Sequence, residues 1–245
     1  MTDAAPPRFA ATVYVPAAAL AASAAEIAGA GYRHLFRARR LAVGDRLRAV
    51  DGEGHAREAK VAAVGTSAAR LELGAPLAIA EPALRLTLVV AAPRPERASW
   101  LVEKAAELGV TAVRWLRSAR APRGLGTAAI ARHRRIALAA MQQSGGARLA
   151  EITGPHEWDE LARLLAAVGG CCALDPRGGP MPRFAAPGSA AAVVGPEGGW
   201  TEAERERLGS LACDGWSLGP RVLRIETAAL VAAGSLLQAA GPRCA

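Results

Sequence analysis

Two stretches near the C-terminus carry the side chains best suited to chemistry. Val193-Val194-Gly195-Pro196-Glu197-Gly198-Gly199-Trp200 sets one carboxylate among three glycines. Leu218-Gly219-Pro220-Arg221-Val222-Leu223-Arg224-Ile225-Glu226-Thr227 brings two cations and an acid close together. Glycine lets the backbone take positive φ and lets another group lie against it. An arginine stabilises negative charge as it develops, and a carboxylate accepts a proton or braces a loop. The glycines match neither the GxGxxG spacing nor a P-loop. By spacing alone, ordinary strand-to-helix turns fit as well.

The surrounding pattern says what positions these loops. Ala190–Val194 is an apolar run of strand length. Thr201 and Glu204 have the spacing of a capping box, so a helix starts there. The second loop follows a strand over Gly215–Leu218 and precedes a helix beginning near Thr227. Ligands of open α/β sheets bind at such carboxyl ends of strands. Upstream, strands at Leu84–Ala91, Val110–Leu116, Leu149–Ile152 and Cys171–Leu174 alternate with helices at Ala98–Leu108, Ala128–Ser144 and Glu157–Val168. That alternation predicts a mostly parallel sheet. Asp175–Ser189 reads as a Gly/Pro-rich lid. Before this domain (84–245) lies a β-rich module (1–78). Its strands fall at Phe9–Val15, Arg46–Val50, Arg57–Val64 and Arg70–Leu73, with Asp51–Gly54 as a hairpin turn and Ala17–Ala30 as a helix. Short strands with tight turns suggest a small barrel.

The 245 residues carry a net charge of +8 and a pI near 10.3. That balance favours a polyanion such as nucleic acid. Lys60 and Lys104 are the only lysines; arginine forks phosphate, although an Ala/Arg/Gly-heavy composition produces the same bias. Gly31–Leu41 is a basic amphipathic segment, either a phosphate-contacting surface or a solvated face. No apolar run reaches membrane-spanning length and no signal peptide is evident, so a cytoplasmic protein without membrane contact is expected. Cys171, Cys172, Cys213 and Cys244 show no CxxC spacing and have no histidine at zinc-ligand spacing. Reduced thiols and no metal are expected.

The two C-terminal loops resemble the signature loops of the SPOUT methyltransferase superfamily. Within it they resemble the RsmE family, which methylates N3 of a uridine in 16S rRNA of the small ribosomal subunit. Tyr32–Gly54 resembles that family's PUA-like domain, and Trp100–Gly109 its early helix. The resemblance implies a C-terminal SPOUT-type α/β domain with a trefoil knot, plus a small N-terminal PUA-like β-barrel. It implies S-adenosyl-L-methionine held by Leu174, Gly195, Pro196, Glu197, Gly198, Gly199, Leu218, Gly219, Val222, Leu223 and Thr227. It places rRNA against His34, Arg37, Arg39, Arg40, Arg94 and Arg97, and it implies a homodimer. Uracil N3 must lose a proton before it attacks, and the charge then spreads onto O2 and O4. Arg224, and next Arg221, would stabilise that charge; Glu226 or Glu197 would take the proton. Two other readings share these features. One is a 2′-O-ribose RNA methyltransferase, which usually uses an early Asn that this asparagine-free chain lacks. The other is a non-catalytic rRNA-binding assembly factor.

Overall fold

A computed structural model describes residues 9–121, 125–184 and 188–241. Its chain forms two compact units. One runs to Glu81 and takes in Met141–Leu149; the other comprises Pro82–Ala140 and the chain from Ala150 on.

The first unit contains β1 (Ala11–Tyr14), α1 (Ala17–Leu20), β2 (Ala24–Ala28), α2 (Gly29–Tyr32), a π-helical turn (Arg33–Ala38), β3 (Arg46–Val50), β4 (Ala56–Val64) and β5 (Ala68–Leu77). The sheet order is β1-β3-β4-β5-β2, with only β1 and β3 parallel. Alternate residues fill its core: Leu47 and Ala49, Ala59 and Val61, Leu71 and Leu73. The helix expected over Ala17–Ala30 is corrected here. It stops at Leu20, and Ala24–Ala28 pairs antiparallel with β5. Alanine's helix propensity is a weak preference, and Ala25 and Ile27 gain burial at the strand period. The β3–β4 turn is tied by Asp51, whose Oδ1 accepts the N–H groups of Glu53 (2.7 Å) and His55 (3.1 Å). Met141–Leu149 is fastened to this unit by backbone polarity. Glu81 Oε1 accepts the N–H of Ala147 (2.7 Å) and Arg148 (3.0 Å), and the Leu149 N–H donates to the Gly52 carbonyl (2.8 Å).

The second unit contains β6 (Arg85–Ala91), α3 (Pro95–Glu107), β7 (Ala112–Leu116), most of α4 (Thr127–Ser144), β8 (Glu151–His156), α5 (Trp158–Ala166), β9 (Cys171–Gly179), β10 (Ser189–Val194), α6 (Glu202–Ser210), β11 (Asp214–Trp216) and α7 (Ile225–Ala240). Every pair in its sheet, ordered β11-β9-β10-β6-β7-β8, is parallel. Central β6 and β10 are buried almost throughout, which explains their unbroken apolar runs. β9 continues to Gly179, so the start of the expected lid is strand. A Cβ on Gly178 would stand 2.4 Å from the backbone of Gly215, so only glycine lets β11 lie there.

The cysteine reading is also corrected. Cys171 and Cys213, with Cα atoms 4.9 Å apart, form a disulfide. They are separated by 42 residues and only the strand order brings them together. Cys172 is free and buried; burial, aided by the charge of Asp214, pushes its thiol up to about 12. Cys244 lies outside the described residues. Among the described residues no helix is long and apolar enough to cross a membrane.

Candidate functional site

The loop after β10 is built by a capped helix and a buried ring. Thr201 Oγ1 accepts the Glu204 N–H (3.2 Å), and Glu204 Oε2 accepts the Thr201 N–H (2.8 Å), so the expected capping box is present. Glu204 Oε1 also accepts from the Ser118 hydroxyl (2.8 Å) and the Ala119 N–H (3.0 Å). One buried carboxylate thus joins the loop after β7 to the start of α6. Burial pushes its pKa up, but these donors outweigh burial and hold it below its ordinary value of 4.5.

Glu204→Gln is expected to cost about 1–3 kcal/mol of stability, because an amide NH2 cannot replace a carboxylate oxygen facing N–H donors. Urea unfolding at pH 7 measures it. The folded carboxyl titrates below the unfolded one, so its contribution is present above about pH 4.5 and fades as pH falls through the folded value. The gap between wild type and variant should narrow there.

Trp200 is buried, and its indole N–H donates to the Leu174 carbonyl (3.0 Å), tying the end of β9 to the glycine loop. Its ring lies against Gly195, where a Cβ would come within 2.8 Å of it. Arg120 Nη1 donates to the Gly198 carbonyl (2.7 Å). Asp175 accepts the Arg177 N–H (2.9 Å) and Arg205 Nε–H (2.6 Å). In the second loop Gly219 has a φ of 114°. Arg224 stands extended before α7, its carbonyl taking the Ala228 N–H (2.8 Å).

These loops and the end of β9 enclose a cavity of about 290 Å³. Leu174, Gly195, Pro196, Glu197, Gly198, Gly199, Leu218, Gly219, Val222 and Leu223 line it, as does Arg221. Thr227 does not; α7 starts at Ile225, earlier than expected, and Thr227 is exposed on its first turn. Arg224 and Glu226 also lie off the lining; Arg224 is exposed and Glu226 buried. Asp175, expected beside Leu174 at the end of its strand, also lines the cavity, whereas the sequence reading missed Trp200, Arg205 and Trp216 on the wall. Trp216 ends β11, two residues earlier than the expected strand over Gly215–Leu218, and so reaches the cavity.

Arg94 is exposed ahead of α3. Arg97, expected on RNA, gives its guanidinium to two acids. Its Nη1 lies 2.5 Å from Glu197 Oε1 and its Nε 3.6 Å from Glu226 Oε1. In the first unit, His34, Arg37, Arg39 and Arg40 are all exposed on and just after the π-helical turn, while Leu35 and Phe36 point inward. Arg37 donates to the Thr66 carbonyl (3.1 Å) and Arg39 to that of Ala10 (2.9 Å), which steadies the basic surface.

A parallel sheet whose carboxyl-end loops enclose a glycine-lined cavity narrows the class, and sequence comparison completes it. Residues 80–237 match the RNA methyltransferase domain and residues 27–73 the RNA methyltransferase PUA domain. The chain belongs to the RNA methyltransferase family. It is 30% identical over 158 residues to ribosomal RNA small subunit methyltransferase E of Bacillus subtilis (strain 168), covering 59% of this chain and 62% of that protein. The match thus spans less than two thirds of that relative's length. Two solved structures share the fold over nearly full length, each with a TM-score of 0.82. One is the putative methyltransferase Lpg2936 from Legionella pneumophila in complex with SAM (27% identity, 95% of this chain and 98% of that one). The other is ribosomal RNA small subunit methyltransferase E from Neisseria gonorrhoeae bound to S-adenosyl methionine (25% identity, 94% and 97%). The resemblance read from the two C-terminal loops and from Tyr32–Gly54 agrees with these matches.

Proposed function

We propose that this chain transfers a methyl group from S-adenosyl-L-methionine to N3 of a uridine in 16S rRNA, working in the cytoplasm as a homodimer. The observation that carries the reading is the cavity between the two glycine loops, in a fold shared with relatives solved with that donor. Gly199 and Gly219 have positive φ and leave open space where a Cβ would stand, so backbone is free to approach a ligand. Leu174, Val194, Trp216 and Ile225 give apolar walls, the usual character of such sites. The donor, once bound, supplies an already activated methyl group.

The remaining work belongs to the chain's own residues. The loops align the acceptor and exclude water. Arg221 on the wall and Arg224 beside it stabilise charge on uracil O2 and O4. Val222, 89% exposed between them, offers an apolar face to a base. Glu197 and Glu226 both face Arg97 and read as bracing carboxylates, so the N3 proton is given up to solvent before the base closes on the donor. The trefoil knot belongs to this proposal. The connection from β10 to β11 passes over β9, and α7 then packs back onto β6 and β10. For the dimer, packed helices α3 and α7 present Trp100 and Val231, each nearly half exposed.

Calorimetric titration with S-adenosyl-L-methionine, then mass spectrometry of methylated rRNA separating base from ribose products, tests the reading. No donor binding, or a ribose product, would overturn it. Replacing Arg37 and Arg40 by alanine is expected to weaken rRNA binding and flatten its salt dependence by about 0.7–0.9 per lost phosphate contact, measured by binding titrations across salt.

A further inference from the structure

We infer that Arg97 is a positioning residue for the donor cavity, one guanidinium fastening Glu197 of the first loop to Glu226 behind the second. The inference rests on the proposed function in taking that cavity as the donor's.

Arg97 itself is well anchored. It stands in the first turn of α3, whose Ala98, Leu101 and Val102 are buried and which packs against α7. From there Nη1 reaches Glu197, a carboxylate 56% exposed on the cavity wall, and Nε reaches Glu226. Glu226 is the second residue of α7 and its side chain is only 8% exposed. One of its oxygens is buried without a hydrogen-bond partner among the described residues. Its charge is therefore offset by Arg97 and by the N-terminal end of its own helix. Next to Glu197, the Gly198 carbonyl is held by Arg120. The glycine loop is thus gripped at adjacent residues by side chains from two other elements, and Arg97 alone also reaches α7. The fork matters. A guanidinium presents separate N–H groups to two acids, whereas a lysine ammonium is a point charge that reaches one of them well.

The test compares melting temperature and calorimetric affinity for S-adenosyl-L-methionine in the full chain. Arg97→Ala is expected to lose up to about 100-fold in affinity and to melt earlier, because Glu226 is left buried and unpaired. Glu197→Gln should melt normally yet bind about tenfold more weakly, the smaller step expected when one of two tethers is cut. The double variant Arg97→Ala with Glu226→Gln should regain the melting temperature but not the affinity, since Glu197 remains unfastened. Arg97→Lys should recover affinity only in part. If the double variant or the lysine variant binds the donor like wild type, Arg97 is only a structural ion pair and the inference fails. Failure of the wild type to bind donor at all would overturn the reading of the cavity itself, a distinguishable result.

Discussion

Alanine in place of Arg221 or Arg224 is expected to slow methylation of rRNA by about two to three orders of magnitude, with donor affinity changed less than about twofold. Both side chains are exposed on the loop after β11, and neither pairs with a carboxylate among the described residues. They are exposed cations on that loop. The donor contacts proposed for this loop come from backbone, which truncation leaves in place. Folding is also spared at position 224, because the first helical bond of α7 uses the Arg224 carbonyl rather than its side chain. The sequence reading put Arg224 first. Of the two, Arg221 borders the cavity directly. Single-turnover kinetics with rRNA, beside calorimetry with the donor, separates the two quantities. Near-normal turnover in both variants would remove these arginines from the mechanism.

Gly195→Ala should act in the opposite way, on binding before turnover. The added Cβ would stand 2.8 Å from the Trp200 ring. That ring has little room to give: it is buried, its N–H holds the Leu174 carbonyl, and it makes a T-shaped contact with Trp158, ring centroids 6.0 Å apart. Moving it shifts the end of β9 and the glycine loop together. A loss of about 1–3 kcal/mol in stability and more than about tenfold in donor affinity is expected. Gly198→Ala supplies the contrast. Its Cβ would meet the flexible Arg120 side chain at 3.2 Å, so a milder effect is expected. Thermal melts and donor titrations check both; equal behaviour of the two variants would show that the Trp200 wall is not what shapes the cavity.

The loops that enclose the cavity were largely readable because their signals are local. A capping box needs only Thr201 and Glu204, and a buried central strand announces itself as Ala190–Val194. What stayed hidden depends on partners distant in sequence. The disulfide needs β11 beside β9. The β2 strand looked helical because its alanines favour helix locally, and only pairing with β5 decides otherwise. Met141–Leu149 joins the first unit through Glu81 and Gly52, a choice that no apolar periodicity records. Arg97 looked like one more basic residue for RNA. Its two ion pairs involve acids far along the chain, Glu197 in the first loop and Glu226 in α7.

The pairing of β6 with β10, Arg85 opposite Ser189, has a consequence for biosynthesis. A chain emerging from the ribosome presents β6 long before its neighbour exists, so one side of a highly apolar strand waits open through the translation of α3, α4 and α5. The second unit can close only when its last quarter has been made. Premature release should therefore yield sticky, chaperone-bound fragments rather than a smaller folded protein.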